Sequence, residues 1–288
     1  MTAQAPFAAV LAAALALLLL QGCASAPKPP TRGIADERPM QTLRDEPFAQ
    51  SERFLDADAV LAANRIGLPA VRVADGAAAE GISAAQAALV ANRAARATCA
   101  GLARHFVIDP QVPELAIELV VTSIRPTSAA AAGASALLGV FVPGPFRLPA
   151  GLGGLAADAA VRRDGEPVMV LHWAEGADAI TEDAKISPIG DAYQLADGFA
   201  DDVVAALVDP RGDDAPDRPR LDAATREANS ALCLARFGRA SVAGRGVSIL
   251  LPLAPEAIDA GAPDDSGLPA AAEPEDRVDR AEADNGGQ

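Results

Sequence analysis

Aromatic side chains are nearly missing from this 288-residue chain, which has one Trp, one Tyr and eight Phe. Stacking platforms for bases or sugars are built from such rings, so their scarcity argues against both ligand classes. Histidine is equally sparse. Only His105 and His172 occur, and neither a CxxC nor an HxxxH spacing exists, so no metal-ligand set is legible. Lysine is confined to Lys28 and Lys185, and the 24 basic residues are dispersed among 39 acidic ones, for a net charge of −15. With no basic stripe, nucleic acid and anionic surfaces find no electrostatic footprint.

Reactive motifs are missing as well. There is no Gly-x-Ser-x-Gly elbow to support a Ser–His–Asp hydrolase. Gly151-Leu-Gly-Gly154 lacks the Lys-Ser/Thr of a phosphate-binding loop and runs into a strand, where its glycines suit a turn or bulge. Glu175 with Asp178, or Glu182 with Asp183, could be an acid–base pair for glycoside hydrolysis. Their setting reads as a polar loop of solvated acids, and Asp201-Asp202 reads as a solvated helix face. His172 reads as a half-buried strand residue and His105 as a charge at a helix C-terminus. The expectation is a chain without catalytic, cofactor-binding or metal residues.

What is present starts at the N-terminus. The apolar run Phe7–Leu20 is followed at once by Leu20-Gln21-Gly22-Cys23. The run has the length of a signal-peptide core and is short for a membrane span. Gly22 is small enough for cleavage before Cys23, whose sulfur would carry lipid, diacylglycerol with acyl chains such as palmitate. Two details stand against this: residues 1–6 hold no Lys or Arg, and a buried helix or an ordinary secretory signal ending near Ala24 reads similarly. The expected organisation is a signal peptide at 1–22, a lipidated Cys23 with a Pro-rich tether over 23–50, and a periplasmic domain over 51–208. A linker with a short helix and an apolar segment (209–253) and an acidic disordered tail (254–288) follow. Ala24 and Ser25 after the cysteine favour the inner leaflet of the outer membrane as the address.

Cys99 and Cys233 would then lie in an oxidising compartment, where two leftover thiols tend to pair. A bridge so far apart in sequence would stabilise by roughly 4–5 kcal/mol in chain-entropy terms. Two buried free thiols are the alternative.

Local patterns predict a strand near Ile66–Val73, then a helix opened by the capping box Ser83-Ala-Ala-Gln86 and running to about His105. Leu115–Ile124 alternates as a strand. Asp164-Gly165 suits a two-residue type I′ turn joining Gly153–Arg163 to Pro167–Trp173, which would set Val161 opposite Val168 and Ala159 opposite Val170. Ser187-Pro188 suits the start of a helix to about Val208, and a short helix is expected near Asp222–Phe237. The order β-α-β-β-β-α predicts an α+β fold, a mostly antiparallel sheet with two helices packed on one face.

The stretch Val142-Pro-Gly-Pro-Phe-Arg-Leu-Pro-Ala-Gly-Leu-Gly-Gly-Leu155, then Asp164-Gly165, Trp173-Ala-Glu-Gly-Ala-Asp178 and Ile189-Gly-Asp-Ala-Tyr193, resembles the bacterial lipoproteins of domain-of-unknown-function family 3313. The resemblance covers about residues 55–208 and implies an envelope location and one α+β domain. It brings no activity, cofactor or catalytic residue.

Ala129–Phe146 is long for a connection between strands, and Leu137, Leu138, Phe141 and Phe146 concentrate apolar surface there. It suits either packing over the sheet or contact with a partner protein or the bilayer. The functional expectation is an outer-membrane lipoprotein acting as a non-catalytic interaction module. Its partners would be the membrane, through the lipid anchor, and an envelope protein, with no nucleic acid. The alternative is a periplasmic binding module for a lipidic or small apolar ligand, with the 137–148 segment as a lid.

Overall fold

The computed structural model describes residues 26–28, 32–34, 38–127, 152–177, 187–212, 218–239 and 254–263. Cys23 and the apolar segment with Leu137, Leu138, Phe141 and Phe146 lie outside the described residues.

The fold is α+β. Six strands form one sheet: β1 (Gln41–Asp45), β2 (Ala49–Leu55), β4 (Ala70–Val73), β6 (Ala116–Arg125), β7 (Gly154–Arg163) and β8 (Glu166–Gly176). They lie in the order β1-β2-β8-β7-β6-β4. Every neighbouring pair is antiparallel except β4 with β6. That pair is parallel because the chain returns through helix α2 (Ala84–Leu102), a crossover longer than any hairpin. Short strands β3 (Arg65–Ile66) and β5 (Val107–Ile108) pair separately, so Gly67-Leu-Pro69 splits the stretch expected as one strand. The remaining helices are α1 (Ala57–Leu61), α3 (Gly190–Val208), α4 (Ala223–Phe237) and α5 (Pro255–Ile258). No helix among the described residues is long and apolar enough to cross a membrane.

Helix α2 opens as its sequence dictates. Ser83 Oγ accepts from the Gln86 amide at 3.2 Å, and Gln86 Oε1 accepts from the Ser83 amide at 2.9 Å. Helix α3 starts later than Ser187-Pro188 suggested. Ser187 Oγ instead accepts from the Ile189 amide and donates to Glu256, so the hydroxyl ties two segments together and Ile189 caps without a side chain.

The alternation of the strands produces two different faces. On the front face, Ile117, Leu119, Ala157, Ala159, Met169, Leu171 and Trp173 join one buried cluster with Val90, Ala94 and Leu102 of α2 and Leu195, Phe199 and Val203 of α3. The back face carries Val120, Ala160 and Val170, packed on Ile34, and Ala156 and Ala174, packed on Ala26.

That back-face cover corrects the extended tether expected over 23–50. Ala26 is buried and its amide donates to the Pro47 carbonyl at 2.8 Å, Ile34 is buried against the sheet, and 41–45 is a strand. Prolines are compatible with a docked extended segment as well as with a free one, because neither needs a full ladder of amide donors. The expected element order was therefore incomplete: β1 and β2 precede the first strand that was expected.

The hairpin turn forms with positive φ at Asp164 (53°) and Gly165 (85°), but the register beyond it differs from the expected one. Arg163 pairs with Glu166 and Arg162 with Pro167; then a bulge intervenes, and Val161 faces Met169 while Ala159 faces Leu171. Val168 is the extra residue, and its carbonyl accepts from the Asp56 amide at 2.8 Å. Pro167 lacks the amide that a regular ladder would use, so a bulge beside it costs little.

Beyond the sheet, Cys99 of α2 and Cys233 of α4 are joined, with Cα atoms 5.9 Å apart. The segment expected to begin a disordered tail is folded at its start. Residues 254–263 include α5, and Asp259 is buried against α2 and α3.

Candidate functional site

The hairpin bulge has a chemical consequence. A regular two-residue turn would place His172 opposite Ala157; the extra residue places it opposite Asp158. One row then crosses the back face through Thr42, Glu52, His172, Asp158 and Val120.

Asp158 is the buried centre of this row. One carboxylate oxygen accepts from the Gly33 amide at 2.7 Å and the Ile34 amide at 3.0 Å, and the other lies 2.8 Å from His172 Nδ1. A carboxylate in so apolar a strand is tolerated because each oxygen is matched by donors. The residues 32–34 form a strap across the sheet. Gly33 fits because a Cβ there would come within 2.5 Å of Val120 Cγ1, so any side chain would lift the strap off Asp158. Arg72 closes the other side by donating to the Gly33 carbonyl at 2.8 Å. His172 was expected to be structural. It is buried and bonded, and Asp158, its partner, escaped the sequence reading. The signal was available: Asp158 is the lone charge within Leu155-Ala-Ala-Asp-Ala-Ala-Val161.

Beside this pair opens a cleft of about 480 Å³, whose polar wall includes Lys28, Arg32, Asp45, Glu52, Asp158 and His172. Arg32 pairs with Glu52. Among the described residues no group of three or more His, Cys, Asp or Glu converges as metal ligands would.

The other residues singled out in sequence are used structurally. Glu175 lies in β8, not in a loop, and accepts from Arg44 at 2.9 Å. Asp178, Glu182 and Asp183 lie outside the described residues. Asp202 is more than a solvated face: it accepts from Trp173 Nε1 at 2.8 Å and pairs with Arg44. Burial pushes the neighbouring Asp201 carboxyl upward. His105 sits just beyond α2, and its Nδ1 meets the Arg218 carbonyl at 2.8 Å. The Gly153 amide donates to buried Asp191 at 2.6 Å, consistent with a packing role for that glycine-rich run.

A second buried polar group joins Arg96 of α2, Tyr193 of α3 and Asp259 after α5. Arg96 grips both oxygens of Asp259, and the Tyr193 hydroxyl donates to the same carboxylate. Burial is the first reason that the Tyr193 hydroxyl is pushed up to about 12, and the hydrogen bond to Asp259 is the second. Burial alone would raise Asp259, but the bonds from Arg96 and Tyr193 outweigh it and hold the carboxyl below its ordinary range. The signs define a window. Asp259 contributes stability above its unfolded value of 3.8, lost as pH falls through the lower folded value. Tyr193 contributes stability below 10.0, lost as pH rises toward about 12. Urea midpoints should therefore fall at both ends of a pH series. Tyr193→Phe should cost about 1 kcal/mol at neutral pH and abolish the alkaline share of the loss. An unchanged alkaline arm in that variant would show that Tyr193 is not its source.

A family model described as "Protein of unknown function (DUF3313)" matches residues 33–203, beginning at the strap glycine itself. The chain belongs to this family. The DUF3313 match thus takes in the strap from Gly33 onward, the Asp158–His172 row and most of α3, and ends before α4 and Asp259. No curated protein matches the sequence. Two solved structures of a PelC dodecamer from Paraburkholderia phytofirmans, one of them of a point variant, are similar at 11% and 10% identity. Their TM-scores are 0.34 and 0.33, and each match covers 55% of this chain and 96% of the other. Likeness of that degree says nothing of activity or assembly in the DUF3313 chain.

Proposed function

We propose that this protein is a cell-envelope lipoprotein, lipidated at Cys23 on the periplasmic face of the outer membrane, whose α+β domain is a non-catalytic interaction module. The observation that carries the reading is the use made of Asp158 and His172. Their bonds hold the strap that leads back toward Cys23, so the imidazole–carboxylate pair of the cleft serves anchorage. The lipobox Leu20–Cys23 supports the address. Ala26 is already docked, three residues beyond Cys23, and three residues span at most about 10 Å. A lipid on Cys23 would therefore seat the domain directly against the bilayer instead of on a long tether. Leu137, Leu138, Phe141 and Phe146 supply, on sequence grounds, the apolar contact for an envelope partner.

Cys23→Ser tests the anchor. Metabolic labelling with an alkyne fatty acid should lose all label, and the protein should leave the membrane fraction or accumulate as precursor. Acylation retained by the variant would end the assignment. Phe141→Ser with Phe146→Ser tests the contact: crosslinked partner capture should fall while the melting temperature holds. A lowered melting temperature with capture unchanged would assign both rings to packing.

A further inference from the structure

Two buried polar atoms of residues lining the back-face cleft, Ser51 Oγ and His172 Nε2, take no part in holding the strap. The Asp158 carboxylate accepts, so the His172 tautomer that meets it carries its N–H at Nδ1 and presents Nε2 as an acceptor. Nε2 is buried without a partner among the described residues, in a residue only 8% exposed. A buried acceptor left unmet is costly, so one in a residue of the cleft wall marks a place for a donor.

The charges around it narrow the ligand. Glu52 sits beside His172 in the cross-strand row, and Asp45 lies on the neighbouring edge strand. Lys28, near the N-terminus, and Arg32 of the strap line the same cleft. A simple anion would meet the two acids, and a simple cation would meet the two bases. Arg32 and Glu52 already meet each other, so a small molecule that carries both signs would exchange that pair for its own two ends and meet Lys28 and Asp45 as well. The volume, about 480 Å³, suits a ligand of a dozen or so heavy atoms.

We infer that this cleft binds a phosphoethanolamine zwitterion, its ammonium donating to His172 Nε2, Glu52 and Asp45 and its phosphate accepting from Lys28 and Arg32. The lipid headgroup is the source if the membrane reading above holds, because Ala26 and Lys28 then place the cleft at the bilayer surface. That part rests on the proposed lipidation; the chemistry of the cleft does not.

The test follows the His172 ring resonances of the full mature protein in non-ionic detergent during titration with glycerophosphoethanolamine. Saturable binding with a shift of the Nε2 resonance is expected. Glycerol 3-phosphate and ethanolamine, each with half of the charge pattern, should bind at least about tenfold more weakly. Glu52→Gln and Arg32→Gln, both at partly exposed positions, should each weaken the zwitterion about tenfold with unchanged melting temperature. No shift up to about 10 mM glycerophosphoethanolamine, or equal binding of either half, overturns the proposal. Nanodiscs separate the sources. The bound resonance in phosphatidylethanolamine discs but not in phosphatidylcholine discs assigns the lipid headgroup, since a quaternary ammonium has no proton to donate. Binding of the soluble zwitterion without that difference overturns the headgroup source and leaves a free phosphoamine. Loss of acylation at Cys23 would change neither result with the soluble ligand.

Discussion

Asp158→Ala is expected to destabilise the domain by about 3–5 kcal/mol and to release the strap. Three donors meet this carboxylate: the part-buried Gly33 amide and the buried Ile34 amide and His172 Nδ1. Each donor stranded away from water costs about 1–3 kcal/mol, and partial relaxation of the strap toward solvent keeps the total below the full sum. Ile34 would lose its seat on Val120, Ala160 and Val170 as the strap lifts. Asp158→Asn should cost less, since one oxygen remains to accept, although its amide group faces donors on the other side. Urea denaturation reads the stability, and trypsin cleavage at Arg32 reads the strap. If the alanine variant keeps wild-type stability and its cleavage at Arg32 does not accelerate, Asp158 is not the anchor.

Loss of the Cys99–Cys233 bridge should have an effect of similar size, about 4–5 kcal/mol, because the closed loop spans 134 residues. For a domain of this size that corresponds to a fall in Tm of roughly 10–20 °C. The damage should begin at α4, of whose fifteen residues only Asn229, Cys233 and Phe237 are buried. Without the bridge, α4 would be held by buried Phe237, whose carbonyl accepts from Asn92, and by Asn229, which accepts from the Ile108 amide and donates to the Ala103 and Phe106 carbonyls. Cys99→Ala combined with Cys233→Ala avoids stranding a thiol. Hydrogen exchange in α4 should rise before that of β7 and β8, while the sheet stays folded under mild conditions. A Tm that is the same with and without reductant would remove the bridge from the account of stability.

Features set by a few adjacent residues were legible in the sequence. Ser83 and Gln86 can bond to each other's backbone within one helical turn, so the start of α2 needed no distant information. Asp164-Gly165 takes positive φ at little cost, and the hairpin follows from that preference. Alternation in Ile117–Val121 and the helical spacing along α3 placed the front-face core. With Cys23 expected to carry lipid, two cysteines were left, Cys99 and Cys233, either to pair or to stay buried thiols, and the structure joins them.

Tertiary structure decided what the back face does. The bulge at Val168 depends on how β8 meets both β7 and the turn into α1, and a slip of one residue changes every cross-strand partner beyond it. That slip brings His172 to Asp158, whose remaining oxygen is met by amides 125 and 124 residues away in sequence. Local composition around Gly33, with its prolines and charges, reads as free chain, because the apolar patch that receives it is assembled from several strands. Asp259 was misjudged for the same reason: an acidic, Pro- and Gly-rich stretch looks solvated until Arg96 and Tyr193, on two separate helices, converge on one carboxylate. Buried polar groups are matched in space, and spacing along the chain carries little record of their partners.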